Sequence, residues 1–426
     1  MEDKKKIAVI GSGIAGLASA WLLSKKYEVT IYEKNDYLGG HTNTRPAQFG
    51  HEVVWADTGF MVFNQKTYPN LVKMFEHLNV ETVETDMSFG VSLGRGEFEI
   101  SSDKIFLQSK NLFQPSFWRM LIDIVRFNKN AAKVAHSHKE ELSLGDLLAE
   151  LRVSKRYSEQ FLLPLAGAIW STGKENILDY PAKKFITFCE NHGLLIPKTF
   201  NPFKIDDGRL PWYTVKNGAK SYVEKMQADM DVEILLSTGV SSLRRSAEGV
   251  FIMDETKTER HFDAVVCASH PNQTLAMLSD TSREEQTILE SFSYTKSTTI
   301  MHKDVSSMLK HTTLWPSWTY AEPKETQVEL SYYMNRLQHI DPAFPVVVTL
   351  NPTKEIARED IFYETEYEHP RFSLATDSAQ NAIDTIQGKH GTYFAGAWLG
   401  HGFHEDGLKS ALGVAYALGV DAPWEK

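Results

Sequence analysis

The sequence predicts an α/β protein in which a parallel sheet with packed helices forms one domain and a second, α+β domain is inserted into it. Three observations support this prediction. A glycine-rich turn follows an apolar strand near the start of the chain, and short apolar strands return at residues 232–236 and 262–268. A glycine-ended strand precedes an apolar helix after residue 392. A chain of 426 residues is long enough for two or three domains.

The opening of the chain predicts a strand, a turn, a helix and a second strand. Residues 7–10 form a short apolar run of the kind found in buried parallel strands. The run leads directly into a G-x-G-x-x-G turn, Gly11-Ser12-Gly13-Ile14-Ala15-Gly16, and the residues that follow have the apolar spacing of a helix. A second strand over residues 28–32 ends at Glu33.

Each glycine of this turn has a physical role in binding a dinucleotide. Gly11 permits the tight turn, Gly13 lets the backbone approach a pyrophosphate, and Gly16 lets the helix pack close to the strand. The helix N-terminus presents N–H groups and positive potential to the phosphates. A carboxylate at Glu33 accepts hydrogen bonds from the adenosine ribose, which argues against the 2′-phosphate of NADP. The predicted contacts are Gly11, Ser12, Gly13, Ile14, Ala15, Gly16, Glu33 and Lys34.

A pair of glycines follows Glu33 closely, in the segment Leu38-Gly39-Gly40-His41-Thr42. The string E-x-x-x-x-L-G-G-H resembles the extended dinucleotide motif of the flavin amine oxidase superfamily, which includes monoamine oxidases, protoporphyrinogen oxidases and phytoene desaturases. The resemblance implies FAD rather than NAD as the cofactor. It places the flavin diphosphate and ribityl beside Gly39, Gly40, His41 and Thr42, and the flavin itself near Gly59 and Phe60.

Residues 392–418 resemble a second cofactor-binding segment of the same superfamily. They contain a strand that finishes at Gly396 and a helix predicted from about residue 408 to residue 418. In the superfamily the N-terminus of this helix points at the flavin, where it stabilises negative charge on the reduced ring. The string F-A-G-A-W-x-G-x-G-F-H-E-D-G-L is similar to a bacterial branch of predicted NAD/FAD-binding oxidoreductases. The contacts implied here are Gly396, Ala397, Glu405, Asp406 and Gly407.

The cofactor segments are scattered along the chain, so we predict an FAD-binding domain made of residues 1–60, 206–270 and 386–426. Residues 61–205 and 271–385 then form the substrate-binding domain, for which the resemblance implies a mixed sheet of six or seven strands with helices on one face. Val240 and Ala268 are the expected contacts on the adenine side. Asn217 stands where the branch is expected to have a glycine, and we predict a positive φ there, which Asn tolerates.

The sequence holds no second G-x-G-x-x-G for NAD(P)H, so the hydride is expected to come from the substrate. Lys296 occupies the strand position at which several superfamily members hold a water near the flavin, and it is predicted to position that water or to act as a base. An exposed lysine in a salt bridge is the alternative. His404, with an unperturbed pKa near 6.5, is predicted to shuttle protons, with a structural histidine as the alternative.

Metal and thiol chemistry are not expected. The two cysteines, Cys189 and Cys267, form no C-x-x-C, and no H-E-x-x-H occurs. Because no cysteine lies near the terminal string, the FAD is expected to be non-covalent. The balance of 45 Lys+Arg against 55 Asp+Glu disfavours nucleic acid as a partner.

The location is predicted to be cytoplasmic, with peripheral contact to a membrane. Lys4, Lys5 and Lys6 before an uncharged run imitate a signal peptide, but the glycine spacing in that run favours the nucleotide turn. Residues 105–130 mix aromatic and aliphatic residues with Lys and Arg. This segment is predicted to meet a membrane interface, to line a substrate tunnel or lid, or to be a core helix with a basic edge.

The resemblance also points to a hydrophobic substrate, since members of the branch are associated with cyclopropane and methyl-branched fatty-acid metabolism. We therefore expect an FAD-dependent oxidoreductase that takes a hydride from a C–H bond of a fatty-acyl chain, as a desaturase or dehydrogenase. A double-bond isomerase and an amine oxidase are alternatives on the same fold. An alternative of another class is a non-catalytic flavin-binding accessory to a lipid methyltransferase.

Overall fold

The computed structural model describes residues 4–102, 106–138, 142–170, 174–191, 210–311, 315–324 and 327–425. The predicted domain boundary at residue 206 and the first residue of segment 105–130 lie outside these ranges. The strands are, in chain order, β1 (Lys6–Ile10), β2 (Glu28–Tyr32), β3 (Thr44–Phe49), β4 (Glu52–Asp57), β5 (Phe63–Asn64), β6 (Thr82–Thr85), β7 (Phe89–Leu93), β8 (Phe98–Ser101), β9 (Trp212–Val215), β10 (Glu233–Leu235), β11 (Val240–Ser246), β12 (Gly249–Asp254), β13 (Glu259–Phe262), β14 (Ala264–Cys267), β15 (Ser293–His302), β16 (Trp318–Lys324), β17 (Gln327–Tyr333), β18 (Val347–Leu350), β19 (Ile361–Arg371) and β20 (Thr392–Phe394). The α-helices are α1 (Ile14–Leu23), α2 (Pro69–His77), α3 (Pro115–Ser137), α4 (Leu144–Glu150), α5 (Lys155–Tyr157), α6 (Leu163–Trp170), α7 (Lys174–Leu178), α8 (Ala182–Asn191), α9 (Lys220–Ala228), α10 (Pro271–Met277), α11 (Arg283–Glu290), α12 (Met334–Leu337), α13 (Leu374–Ala382) and α14 (His404–Ala417).

The first domain is built on a five-stranded parallel sheet with the order β10-β2-β1-β14-β20. Its central strand β1 is buried along residues 7–10, which explains the unbroken apolar run in the sequence. Helices α1 and α14 share one apolar core with this sheet, centred on Leu17, Trp21 and Leu408. The predicted α/β class and the two predicted returning strands, now β10 and β14, are confirmed.

The inserted domain contains a seven-stranded sheet with the order β19-β15-β18-β17-β16-β7-β8. Neighbouring strands are antiparallel except for β16 and β7, which run parallel. Helices α3 to α8 contribute to the same core as this sheet, through residues such as Phe117, Tyr157 and Phe185. The observed sheet has the upper of the two strand numbers that the resemblance implied.

The packing of four helices differs from the predicted domain division. Helix α2 buries Leu71, Met74 and Phe75 in the core of the parallel sheet, although it follows residue 60. Helices α11 and α13 pack with β11, β12 and β13 in a second core of the same domain, and α10 lies alongside them. The first domain therefore extends beyond residues 60 and 270 and begins again before residue 386, because these helices bury their apolar faces against it.

Helix α3 lies within the segment for which three alternatives were open. It buries Phe117, Met120, Ile124 and Phe127 in the core of the second domain, as a core helix does. Its opposite face carries exposed apolar side chains. Among the described helices, none is long and apolar enough to cross a membrane.

The turn before α9 confirms the prediction made for Asn217. Its φ is +65°, and the φ of the following Gly218 is +91°. A side chain on Gly218 would collide with Thr44, since an added Cβ would lie 2.5 Å from the methyl carbon of that residue. Asn therefore serves at the first position of the turn, whereas the second position requires glycine.

Candidate active site

A cavity of about 890 Å³ lies between the two domains. One wall is the carboxyl edge of the parallel sheet, where β1, β2, β14 and β20 end in Gly11, Glu33, Ala268 and the segment after Phe394. Ligands of parallel α/β sheets bind at this edge. The opposite wall comes from β15, β16, β17 and β19 of the second domain.

Most of the predicted site residues meet at this cavity. Those that line it are Gly11, Ser12, Gly13, Ile14, Ala15, Glu33, Lys34, Gly39, Gly40, His41, Gly59, Phe60, Val240, Ala268, Lys296, Gly396, Ala397 and His404. The predicted residues that lie behind the lining are Gly16, Thr42, Glu405, Asp406 and Gly407.

The three glycines of the first turn differ in their surroundings as their predicted roles require. Gly11 has a φ of +96°, and a Cβ on Gly16 would lie 1.9 Å from the carbonyl oxygen of Gly11, so the helix approaches the turn only without a side chain. A Cβ on Gly13, in contrast, would meet no atom within 4 Å. The space beside Gly13 is the cavity itself, and it forms a cradle that a side chain would fill.

Helix α1 begins at this cradle without a capping side chain. Its N-cap residue is Gly13, and no side chain accepts a hydrogen bond from the first turn. Ile14 and Ala15 of that turn line the cavity. Backbone N–H groups left free at a helix start are suited to bind phosphate oxygens.

The carboxylate of Glu33 holds the turn in place. One oxygen, Oε2, accepts hydrogen bonds from the backbone N–H of Ser12 at 2.9 Å and from its hydroxyl at 2.6 Å, while Oε1 accepts the N–H of Asn35 at 2.8 Å. A carboxylate has about four acceptor positions, so one remains on Oε1. This position suits a ribose hydroxyl, as the sequence predicted.

The two acidic residues of the terminal string position neighbouring segments. Glu405 accepts the backbone N–H groups of Asn70 and Leu71 and thereby caps the start of α2. Asp406 accepts the N–H groups of His401 and Phe403, and burial raises its pKa to about 6. Both carboxylates are thus used within the protein, and the role of Glu405 and Asp406 as cofactor contacts remains a prediction. Helix α14 also begins at His404, four residues before the predicted start.

His404 is buried and held by hydroxyl groups. Its Nε2 lies 2.9 Å from the hydroxyl of Thr42 and 3.1 Å from that of Tyr222, and its ring stacks on Phe60 with centroids 3.7 Å apart. Burial lowers the pKa of His404 to about 3. The pKa near 6.5 that the proton-shuttle role assumed is therefore not found, and the structure favours a neutral, hydrogen-bonded histidine.

Lys296 lines the edge of the cavity in a chain of ionic contacts. Its Nζ lies 2.7 Å from Glu366 and 4.0 Å from Glu368, and Glu368 contacts His270 at 3.1 Å. The hydrogen bond and the charge of Glu366 raise the pKa of Lys296, whose side chain is 64% exposed. A protonated, paired lysine does not act as a base, so the structure supports the alternative of a salt-bridged lysine. The water-positioning role remains a prediction.

A stack of rings in the cavity wall was not predicted. The ring of His41 stacks on Tyr367 with centroids 4.6 Å apart, and His369 meets it edge-on at 5.5 Å. The Tyr367 hydroxyl lies 2.8 Å from Asn43 Nδ2 and 2.7 Å from the hydroxyl of Thr58, and burial lowers the pKa of His369 to about 4. His369 is 328 positions from His41 in the sequence, so only the tertiary structure brings the two rings together.

The residues at the cavity fit a dinucleotide cofactor. The cradle at Gly13 and the uncapped start of α1 suit a pyrophosphate, and Glu33 retains an acceptor for the ribose. Thr238 and Val240 line the same cavity beyond Glu33, on the side expected for adenine. The far end reaches Phe403 and His404, where a flavin ring would lie beside the first turn of α14.

A family model of flavin containing amine oxidoreductases matches residues 14–303. The chain belongs to this family. It is a flavin-dependent oxidoreductase, and FAD is its cofactor. The family match begins inside the nucleotide turn, at residue 14, and extends through the first segment of the second domain to residue 303.

Solved structures with the same fold span the whole chain. The chain is similar to a CLA-producing fatty acid isomerase from P. acnes, with 14% identity and a TM-score of 0.68 over 99% of this chain and 100% of that one. It is also similar to wild-type putrescine oxidase bound to putrescine, with 13% identity and a TM-score of 0.67 over 97% and 98%. At such identities the superposition shows a shared fold.

A curated protein also matches a short stretch of the chain. A stretch of 37 residues is 65% identical to a 1-hydroxycarotenoid 3,4-desaturase from Flavobacterium sp. (strain P99-3). The match spans only 8% of this chain and 8% of that desaturase. The predicted bacterial branch and its link to fatty acids stay predictions.

The first prediction for this flavin oxidoreductase uses the cradle beside Gly13. The change Gly13→Leu should reduce FAD affinity at least tenfold, because its side chain would occupy the space suited to the pyrophosphate. The melting temperature of the apoprotein should stay close to that of the wild type, since an added Cβ meets no atom within 4 Å. The measurement is FAD titration followed by fluorescence, with apoprotein melting by circular dichroism.

Gly413→Leu is the matched control for this experiment. Gly413 also has no atom within 4 Å of an added Cβ, but it lies exposed on α14. This variant should bind FAD as the wild type does. Equal FAD affinity in the two variants would contradict the assignment of the cradle.

The second prediction concerns how the flavin is held. Burial raises the pKa of both cysteine thiols, to about 12 for Cys267, and neither thiol lines the cavity. A thiol without thiolate character is unreactive, so a cysteinyl link is not expected. Acid precipitation should release all of the flavin into the supernatant, and flavin fluorescence that stays with the precipitated protein would contradict non-covalent binding.

The third prediction follows from the lowered pKa of His404. Between about pH 6.5 and pH 3 the unfolded chain binds a proton at this histidine that the folded protein excludes. The free energy of unfolding should therefore fall as the pH is lowered, by about 1.4 kcal/mol per pH unit from this group. In urea unfolding of the apoprotein, the loss between pH 6.5 and pH 5.0 should be about 1.6 kcal/mol smaller in His404→Gln than in the wild type, since the unfolded histidine is only half protonated at pH 6.5.

The control variant for this measurement is His51→Gln, which replaces an exposed histidine in the turn between β3 and β4. Its loss of stability over the same pH interval should match that of the wild type. If His404→Gln loses as much stability as the wild type, His404 is not the buried neutral group described here.

Proposed function

We propose that this flavin oxidoreductase takes a hydride from a C–H bond of a fatty-acyl chain, as a desaturase or dehydrogenase. The observation that carries the proposal is the apolar wall that the second domain contributes to the cavity. Its residues are Met61, Val62, Met87, Ala168, Ile169, Phe188, Trp318, Tyr332 and Leu337, and Phe403 of the first domain lines the same cavity. Such a wall recognises a substrate by its hydrocarbon surface.

The carboxylates of the described lining residues are engaged elsewhere or lie on the nucleotide side. Glu33 holds the nucleotide turn, Glu366 pairs with Lys296, and Glu368 pairs with His270. Glu255 lies against Gly239, in the turn on the adenine side. A buried ammonium group requires an ionic or hydrogen-bonding partner, so the described wall suits an acyl chain better than a diamine.

The chain's own residues prepare the site by excluding water and orienting the substrate. A bound flavin supplies the two-electron acceptor for a hydride from the substrate. Trp318 and Tyr332 from the central strands and Phe188 from α8 enclose the apolar end of the cavity. Neutral His404, fixed by Thr42 and Tyr222, offers a hydrogen-bonding group there without adding a charge.

The names of two similar proteins support a hydrophobic substrate but do not decide between desaturation and isomerisation. A full-length structural neighbour is named a fatty acid isomerase, and a short curated match is named a carotenoid desaturase. Putrescine oxidase has the same fold, so the fold does not distinguish an acyl substrate from an amine. The proposal therefore rests on the apolar wall. Double-bond isomerisation is the second candidate, because the neighbour whose name states an acyl substrate is named an isomerase.

The deciding experiment is an anaerobic absorbance titration of the FAD-loaded protein with bacterial phospholipids that carry unsaturated and methyl-branched chains. Loss of the flavin absorbance band with lipid, together with a new double bond in the product, supports the proposal. A shifted double bond without net loss of the band indicates an isomerase. Bleaching by amines alone identifies an amine oxidase, and no turnover with either class contradicts both the proposal and its second candidate.

The fourth prediction tests the apolar wall with a pair of variants of equal size. Ile169→Asp and Ile169→Asn both place a polar group on α6, but only the first adds a charge. The KM for an acyl substrate should be at least tenfold higher in Ile169→Asp than in Ile169→Asn, because a buried carboxylate costs more than a buried amide. FAD content and melting temperature serve as controls for folding. Equal KM values for the acyl substrate in the two variants would contradict the acyl assignment.

A further inference from the structure

The outer surface of the second domain carries an unusual concentration of exposed apolar side chains. Half of the large hydrophobic residues that the described structure exposes fall between residues 112 and 125. Phe113 is 87% exposed and Ile122 is 62% exposed. We name this surface the outer α3 face, and it consists of Leu112, Phe113, Trp118, Ile122 and Val125.

The outer α3 face lies opposite the side of α3 that packs in the core. At 100° per residue, Trp118, Ile122 and Val125 fall on one side of the helix, because they are spaced by four and three residues. The buried residues Phe117, Met120, Ile124 and Phe127 fall on the other side. A helix at the surface of a water-soluble domain normally presents polar residues on its outer face.

A hydrogen bond links the two segments that form the outer α3 face. The indole Nε1 of Trp118 donates a hydrogen bond to the carbonyl of Leu112 at 2.8 Å, which ties the turn before α3 to the helix. Phe113 projects from that turn and is the most exposed large apolar residue in the described part of the chain. An aromatic residue at the tip and a Trp beside it are typical of protein surfaces that enter the lipid interface.

Basic residues surround the outer α3 face. Between residues 106 and 138 the sequence has five lysines and arginines, Lys110, Arg119, Arg126, Lys129 and Lys133, against a single acidic residue, Asp123. Asp123 is buried and pairs with Arg119. Beyond the helix, Glu97 and Glu159 lie near Lys110 in a shallow recess that Lys155 and Arg156 share. The helix thus carries an excess of positive charge on a protein whose formal net charge is -10.

We propose that the outer α3 face docks on the surface of an anionic phospholipid bilayer. The apolar side chains would enter the interface while the surrounding Lys and Arg residues meet the phosphate groups. Charge complementarity favours this occupant over a second copy of the chain. A symmetric contact would bring the same basic residues of two copies together, and like charges at an interface oppose association.

The docked orientation has a consequence for the cavity. Helix α3 packs on α8, and Phe188 of α8 lines the cavity. The helical layer of the second domain therefore separates the proposed bilayer contact from the apolar end of the site by two helices. The docking proposal stands on its own surface residues and does not depend on an acyl substrate.

The fifth prediction is tested by vesicle flotation of the FAD-loaded protein. The wild type should bind vesicles of phosphatidylcholine with phosphatidylglycerol and remain free of vesicles made of phosphatidylcholine alone. Raising the salt concentration should weaken the binding. The double change Phe113→Ser and Ile122→Ser should lower the partition coefficient at least tenfold, because both side chains lose their apolar surface. The matched control, Val53→Ser, replaces an exposed apolar residue on β4 and should bind as the wild type does.

A second pair of variants tests the charges. Arg126→Gln with Lys129→Gln should lower binding to the anionic vesicles about fivefold for each charge removed. Lys73→Gln with Lys354→Gln removes two exposed charges elsewhere and should leave binding unchanged. The proposal is overturned if the wild type does not float with anionic vesicles, or if the variants bind as their controls do. It is also overturned if the wild type is a dimer that Phe113→Ser separates, since the face then joins two copies.

Discussion

The close approach of α1 and α14 is the constraint on which the candidate site depends. Gly407 lies so near the start of α1 that an added Cβ would be 2.7 Å from the Cγ2 atom of Ile14. This contact brings the N-terminal ends of both helices to the same cavity. The positive ends of two helix dipoles, one facing the expected diphosphate and one the expected flavin ring, then act on an anionic cofactor from neighbouring positions.

Buried acidic residues fix the positions of the surrounding loops relative to these helices. Asp57 accepts hydrogen bonds from the backbone N–H of Ala219 and from the side chains of Thr44 and Gln338, and burial raises its pKa to about 6. It thus joins β4, the start of α9 and the end of α12. Glu405 and Asp406 do the same for α2 and the loop before α14. Carboxylates next to the cavity therefore serve largely as acceptors for backbone N–H groups.

Local geometry explains which parts could be predicted from the sequence. The glycine turn at residues 11–16, Glu33 and the positive φ of Asn217 follow from backbone sterics and from spacings of a few residues, and the sequence contains that information. The packing of α2 against the parallel sheet, the pKa of His404 and the pairing of Lys296 depend on residues far away in the sequence. Glu366 lies 70 positions after Lys296, and Thr42 lies 362 positions before His404. Burial and the choice of partner depend on the tertiary structure. The sequence pattern alone could therefore not give the domain to which α2 belongs, the pKa of His404 or the partner of Lys296.

The order in which the chain is synthesised has a consequence for how the cofactor is acquired. The nucleotide sheet takes β1 and β2 from the beginning of the chain but β20 and α14 from residues after 390. A nascent chain lacks the second helix terminus and the strand beside β14 until residues 392–417 have left the ribosome. Capture of FAD is therefore expected to follow the synthesis of these residues, and until then the early segments lack the partners that cover their apolar surfaces.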